Sequence, residues 1–208
     1  MTSTTDQPPV SAPDTAREKA ERDLDRVRSY IARDTGKAAA LRRAAGETLA
    51  DARNVRWFFA LTGETQFERD NERTRYEEIL FLVATLFASD KVALEKKSVF
   101  RGDLGASLAW VRGKGGRATG ENADPVERRL RILLDSDLDV YSGGELAYRL
   151  RQITRYVLSQ GGSIDWPQLL ADVRQWDRMG KPVQKRWARS FYKPRLDDNF
   201  EPAVGSQA

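Results

Sequence analysis

Three helical patterns follow one another from Gly144 to Tyr192, GELAYRLRQITRYVLSQGGSIDWPQLLADVRQWDRMGKPVQKRWARSFY, with apolar anchors at three- and four-residue spacing. That period buries one side of a helix and is incompatible with the two-residue alternation of a half-buried strand. In the first pattern Leu146, Leu150, Ile153 and Val157 share a face, opposite Arg151, Arg155 and Tyr148. The second starts at Asp165 and buries Trp166, Leu169, Val173 and Trp176; the third starts at Pro182 and turns Val183, Trp187 and Phe191 inward, with Lys185, Arg186 and Arg189 outward. No strand alternation occurs elsewhere, so the expected fold is all-α.

Upstream, residues 1–13 are Ser, Thr, Pro and Gln with little to bury, and a disordered tail is expected there. Asp14 reads as the N-cap of an amphipathic helix carrying Ala20, Leu24, Val27 and Ile31. A short Ala-rich segment follows at 38–46, with Leu41 and Ala45 on one face and Arg42 and Arg43 pointing away. Glu47 to Leu61 reads as a further amphipathic segment, with Leu49, Ala52, Trp57, Phe58 and Leu61 on one broad side and Gly63 as its stop. From Asn71 to Ala88 apolar residues run almost around the helix, as in the central member of a bundle. A short helix, LGASLAWVR, leads into RGKGGRATGEN, whose Arg112, Lys114 and Arg117 sit among glycines in either a surface connector or a phosphate-contacting loop. Asp124 and Pro125 open a helix that buries Val126, Leu130 and Leu133 and projects Arg128 and Arg131. The expected organisation is two small helical bundles side by side, 14–102 and 103–193, with a second disordered tail at 194–208.

Chemistry is bounded by what is missing. The chain has no Cys and no His, which removes thiolate nucleophiles, the usual metal ligands and the usual general base. DSDLD at 135–139 fails as a calcium loop because Val140 and Leu146 stand where Gly and Glu are needed; Gly113 and Lys114 fail as a nucleotide loop because Leu108 and Gly115 replace the required Gly and Ser/Thr. No metal, cofactor or catalytic residue is expected. Asp and Glu are plentiful enough for a carboxylate-only magnesium nuclease, but no acidic pair is read on an otherwise apolar face. The spacer SQGGSI is longer than the three- or four-residue turn of a helix-turn-helix, which leaves that motif as a minor reading. Trp57, Trp166, Trp176 and Trp187 fall in phase with apolar stripes and read as packing. No run is long and apolar enough to cross a bilayer, and the first residues lack a signal-peptide pattern, so the cytoplasm is expected. The net charge of +4 conceals a basic end: from Arg174 to Arg195 eight cations face one acid, Asp177.

The order of ALRRAAG, LGASLAWVR, VERRLRILLDS, LAYRLRQITRYVLSQGGSIDWPQLLADVRQWD and VQKRWARSFY resembles the small subunit of the type I-E CRISPR Cascade complex, the CasB family, over roughly residues 36 to 192. The resemblance implies a non-enzymatic, all-helical protein of two bundles. It implies two copies in a ribonucleoprotein with a large subunit, backbone subunits and a CRISPR RNA. Its implied role is to hold the displaced DNA strand and stabilise the R-loop on the target, where strand exchange is nearly balanced and protein contacts can tip it. Carried over by position, the nucleic-acid-binding candidates are Arg42, Arg43, Arg128, Arg129, Arg151, Lys185, Arg186 and Arg189. A scaffold whose basic faces meet acidic protein surfaces is the alternative.

Overall fold

The computed structural model describes residues 15–63, 65–95, 100–114, 124–139 and 144–193. The tails expected at 1–13 and 194–208, and Arg117 of the Gly-rich segment, lie outside the described residues. Among the described residues the fold is all-α, with no strand.

Helix α3 (Asp70–Phe87) is the centre of the first half. Ile79, Leu80, Phe81, Val83, Ala84, Leu86 and Phe87 are all buried, which leaves it no solvent face along its last two turns. Helices α1 (Ala16–Ala32) and α2 (Thr35–Arg43) pack around it. The N-cap of α1 is Thr15, one residue after the expected Asp14: its hydroxyl accepts from the Glu18 amide while Glu18 reaches back to the Thr15 amide. Asp34 caps α2, its carboxylate accepting from the Gly36 amide.

The segment from Glu47 to Leu61 is not a continuous helix. It is a series of turns ending in a 3₁₀ stretch, Arg56–Leu61. Local bonds divert the backbone: Thr48 Oγ1 donates to Asp51 Oδ2 at 2.8 Å, the Leu49 amide donates to Glu78 Oε2 at 2.8 Å, and Gly46 and Asn54 take positive φ of 99° and 62°. The apolar set still faces inward, with Leu49, Ala52, Val55, Phe58 and Leu61 buried. Trp57 is only half-buried, stacked 5.1 Å from Tyr30.

After a single turn, α4 (Lys91–Leu94), come α5 (Leu104–Lys114), α6 (Pro125–Asp135), α7 (Glu145–Ser159), α8 (Trp166–Arg174) and α9 (Pro182–Tyr192). Helix α5 runs farther than expected, so Arg112 and Lys114 are helical. Arg112 lies over the Phe191 ring at 4.1 Å and donates to the Phe191 carbonyl at 2.9 Å, bracing α5 to α9. A β-carbon at Gly105 would stand 2.0 Å from the Trp187 carbonyl oxygen, so this glycine permits the close α5–α9 contact. Helices α6 and α7 complete that group.

Helix α8 packs along α1 and against α3, across the sequence boundary between the two expected bundles. Two ion pairs hold it: Arg17 meets Asp165 at 3.1 Å at one end, and Arg174 meets Asp23 at 2.7 Å at the other. Trp166 donates to Asp90 at 2.8 Å and sits edge-on to Phe87, seating α8 on the end of α3. Trp166, Trp176 and Trp187 are fully buried, as the stripes predict. No described helix is long and apolar enough to cross a membrane.

Candidate nucleic-acid interface

Five of the eight expected cations lie on three helices, Arg128 and Arg129 on α6, Arg151 on α7, and Arg42 and Arg43 at the end of α2, and two contacts link these elements. Arg129 leaves α6 with its guanidinium 4.5 Å from the ring centre of Tyr156 on α7, and its Nη1 donates to the Pro125 carbonyl at 3.4 Å. Such stacking fixes a cation's direction without neutralising it. Arg155 adjoins Tyr156 and Arg151 lies one turn back on α7; the Arg151 guanidinium rests against Gly46, in the turn directly after α2. Helix α2 ends with Arg42 and Arg43, both exposed, and Arg42 Nη1 is steadied at 3.4 Å by the Ala88 carbonyl. Arg43, Arg128, Arg151 and Arg155 have no side-chain hydrogen bond or ion pair to the described residues. The last turn of α2 places Arg42 and Arg43 where cations also suit the helix dipole.

Arg155 and Tyr156 were not among the expected site residues. The four-residue spacing from Arg151 to Arg155 was the available signal for the first. The stack of Tyr156 under Arg129 joins two helices distant in sequence and has no signature there.

Helix α9 carries a separate row. Lys181, Lys185, Arg189 and Lys193 recur every fourth residue and are exposed, while Tyr192 Oη ties the helix end to Glu127 of α6 at 2.9 Å. Arg186 is different. Its guanidinium bonds Asp172 and lies 3.8 Å from Asp103, so this expected nucleic-acid contact is held by internal carboxylates.

Those carboxylates correct the reading that no acidic pair stands among apolar residues. Asp172 is fully buried in α8 and accepts from Trp187 Nε1 and Gln168 Nε2, each at 2.6 Å; Asp103 is buried at the start of α5 and accepts from Ser190 at 2.7 Å. Burial pushes the Asp172 carboxyl above its usual range, opposed by the Trp187 hydrogen bond and the Arg186 charge. The acceptors are occupied by structural donors that join α5, α8 and α9.

Residues 37–192 match the family model for CRISPR-associated protein Cse2. The chain belongs to the Cse2 family. A family relative, the CRISPR-associated protein Cse2 of Thermus thermophilus, is 32% identical over 120 residues, which is 58% of this chain; the match spans 59% of that relative's length. Among solved structures, CasB of M. ruber superposes with a TM-score of 0.65 at 28% identity, covering 86% of this chain and 93% of that one. CasB of Thermus thermophilus gives 0.63 at 28% identity, covering 84% and 98%. A chain of a CRISPR RNA-guided surveillance complex shares the fold at a TM-score of 0.64 and 24% identity, covering 85% and 93%. The family match supports the type I-E small-subunit resemblance.

Proposed function

We propose that this chain is a non-catalytic subunit of a CRISPR RNA-guided surveillance complex that holds DNA by its backbone, independently of sequence, and so stabilises the R-loop and the displaced strand. It acts in the cytoplasm beside a second copy of itself, the large subunit, the backbone subunits and the CRISPR RNA. The observation that carries the reading is the path Arg128–Arg129–Arg155–Arg151–Arg43–Arg42: surface cations with no carboxylate paired to them among the described residues, aligned by a ring stack and a glycine contact. Phosphate neutralisation along such a path releases counterions and reads no bases. Lys181, Lys185, Arg189 and Lys193 extend the basic surface along α9, whereas Arg186 braces the core beneath them. The occupied state of Asp172 and Asp103 supports a non-catalytic role, since neither presents a free carboxylate to a metal or a water.

The test uses the assembled complex on target DNA. Replacing Arg43, Arg128 and Arg155 together with Ala should shorten R-loop lifetime equally on all target sequences and leave assembly intact. Each lost contact should flatten the log–log salt dependence by about 0.9 on duplex or about 0.7 on a single strand. An unchanged lifetime overturns the assignment, and cleavage of labelled DNA by the isolated chain with magnesium or manganese overturns the non-catalytic reading.

A further inference from the structure

Helix α7 carries an aromatic ring that the core does not use. Tyr148 is 53% exposed, and with Gln152, Arg155 and Ser159, all exposed, it forms the solvent crown of the helix, while Leu146, Leu150, Ile153 and Val157 fill the opposite side. A lone aromatic on a surface is ordinary. This one is held in a fixed orientation. Gln152 Nε2 donates to Tyr148 Oη at 2.7 Å, and the Arg149 guanidinium carbon lies 5.4 Å from the ring centre. Arg149 is fixed in turn by Glu145 Oε1, which accepts from its Nε at 3.2 Å and its Nη2 at 2.9 Å, so the nearby carboxylate on α7 is already taken up. Arg151 and Arg155 stand three and seven residues after Tyr148, about 4.5 and about 10.5 Å along the helix axis, and neither is ion-paired among the described residues. Tyr192 on α9 is similarly exposed, at 52%, and also follows exposed cations, Lys185 and Arg189, but its hydroxyl donates to Glu127 at 2.9 Å. That carboxylate places negative charge at the ring edge, against an approaching phosphate; Tyr148 has a neutral amide there.

We infer that Tyr148 stacks on an unpaired base of a DNA strand while Arg151 and Arg155 hold its phosphates, so that the crown of α7 grips single-stranded DNA in preference to duplex. The inference rests on the DNA-backbone reading above and adds to it a residue and a strand state. Cations alone do not separate the two states, because both present phosphates. A ring face does, because the base faces of a duplex are covered by their neighbours and only an unpaired nucleotide can turn one toward protein. Stacking also leaves sequence independence intact, since every base has a π-face. The Gln152 and Arg149 contacts prepare the ring for this role by restricting its rotamers before DNA arrives, which lowers the ordering cost of binding.

The experiment uses the assembled complex on target DNA in which the photoreactive iododeoxyuridine replaces single nucleotides of the displaced strand, with crosslinks mapped by mass spectrometry. The expected adduct is on Tyr148. Tyr148→Ala and Tyr148→Leu should shorten R-loop lifetime at least about five-fold, whereas Tyr148→Phe and Tyr148→Trp, which keep a ring, should not. Retention of intact non-target duplex should be the same for all four variants. An abasic nucleotide at the crosslinked position should shorten the lifetime of the unaltered complex and have no further effect in Tyr148→Ala. No adduct at Tyr148, an adduct only to iodouridine placed in the guide RNA, or a Tyr148→Leu variant as good as the unaltered chain overturns the inference. So does an equal loss on duplex, or failure of Tyr148→Ala to assemble, which would mark the ring as a contact to a protein neighbour. If the Arg43, Arg128 and Arg155 triple variant shortens R-loop lifetime and Tyr148→Ala does not, stacking alone fails; if neither does, the backbone-binding reading fails with it.

Discussion

The guanidinium of Arg151 lies so close to the backbone of Gly46 that a β-carbon on residue 46 would stand 2.6 Å from Nη1. This contact is where α7 meets the turn after α2, and it brings Arg151 beside the segment that follows Arg42 and Arg43. Gly46 serves it twice, by leaving room for the guanidinium and by adopting a φ of 99° that reverses the chain just past Arg43.

Gly46→Ala should therefore act on both stability and DNA retention. The positive φ costs a side-chain-bearing residue about 1–2 kcal/mol, to be read as a lower urea midpoint. The β-carbon also displaces the flexible end of Arg151, so R-loop lifetime should fall even though no charge is removed. In a double-mutant cycle, Gly46→Ala added to Arg151→Ala should cost no further DNA retention; additive losses would mean that the glycine acts on something other than Arg151.

The Arg129–Tyr156 stack predicts a split between Tyr156→Phe and Tyr156→Ala. Phe keeps the ring face 4.5 Å from the guanidinium, and DNA retention should hold. Ala frees Arg129 to sample other rotamers, and the lost cation–π contact of about 0.5–1 kcal/mol corresponds to roughly two- to five-fold weaker retention. Equal behaviour of the two variants would remove Tyr156 from the site.

On α9, nearby basic positions should respond in opposite ways. Arg189→Ala touches no internal partner and should leave stability within about 0.5 kcal/mol while weakening DNA retention. Arg186→Ala strips Asp172 and Asp103 of their common cation and should cost about 1–3 kcal/mol in chemical denaturation. Matching stabilities for the two variants would show that the Arg186 contacts contribute nothing to the fold.

That contrast also shows what could be read from the sequence. Helices α3, α6, α7, α8 and α9 were legible because Leu80, Leu130, Leu150, Leu169 and Trp187 belong to stripes at helical spacing, and Asp124 and Asp165 cap the starts of α6 and α8. The Glu47–Leu61 segment was misread because Thr48, Asp51 and Glu78 draw its backbone into turns while the apolar residues keep a pattern compatible with a helix. Outward direction identified the exposed cations, but it could not separate Arg186 from Arg189. Only the arrival of α5 and α8 beside α9 brings Asp103 and Asp172 to one guanidinium and leaves the other in solvent. Arg155 was legible as outward-facing beside Arg151, and only the neighbouring Arg129–Tyr156 stack, which has no signature in the sequence, distinguishes its surroundings.

Asp172 sets the final prediction. Burial raises its carboxyl pKa in the fold above the roughly 3.9 of an unfolded chain, even with Trp187 and Arg186 opposing the shift. The folded state therefore binds this proton more tightly than the unfolded state. Its contribution to stability is complete below about pH 3.9 and declines as pH rises through the folded value, because the unfolded chain releases the proton first. Asp172→Asn removes the titration, so subtracting its stability from that of the unaltered chain isolates this group from the other carboxylates. Across roughly pH 4 to 7 the advantage of Asp over Asn, from urea midpoints, should shrink as pH rises and then level off. An advantage that grows with pH would mean that the Arg186 ion pair outweighs burial and that the carboxyl is held below its usual range.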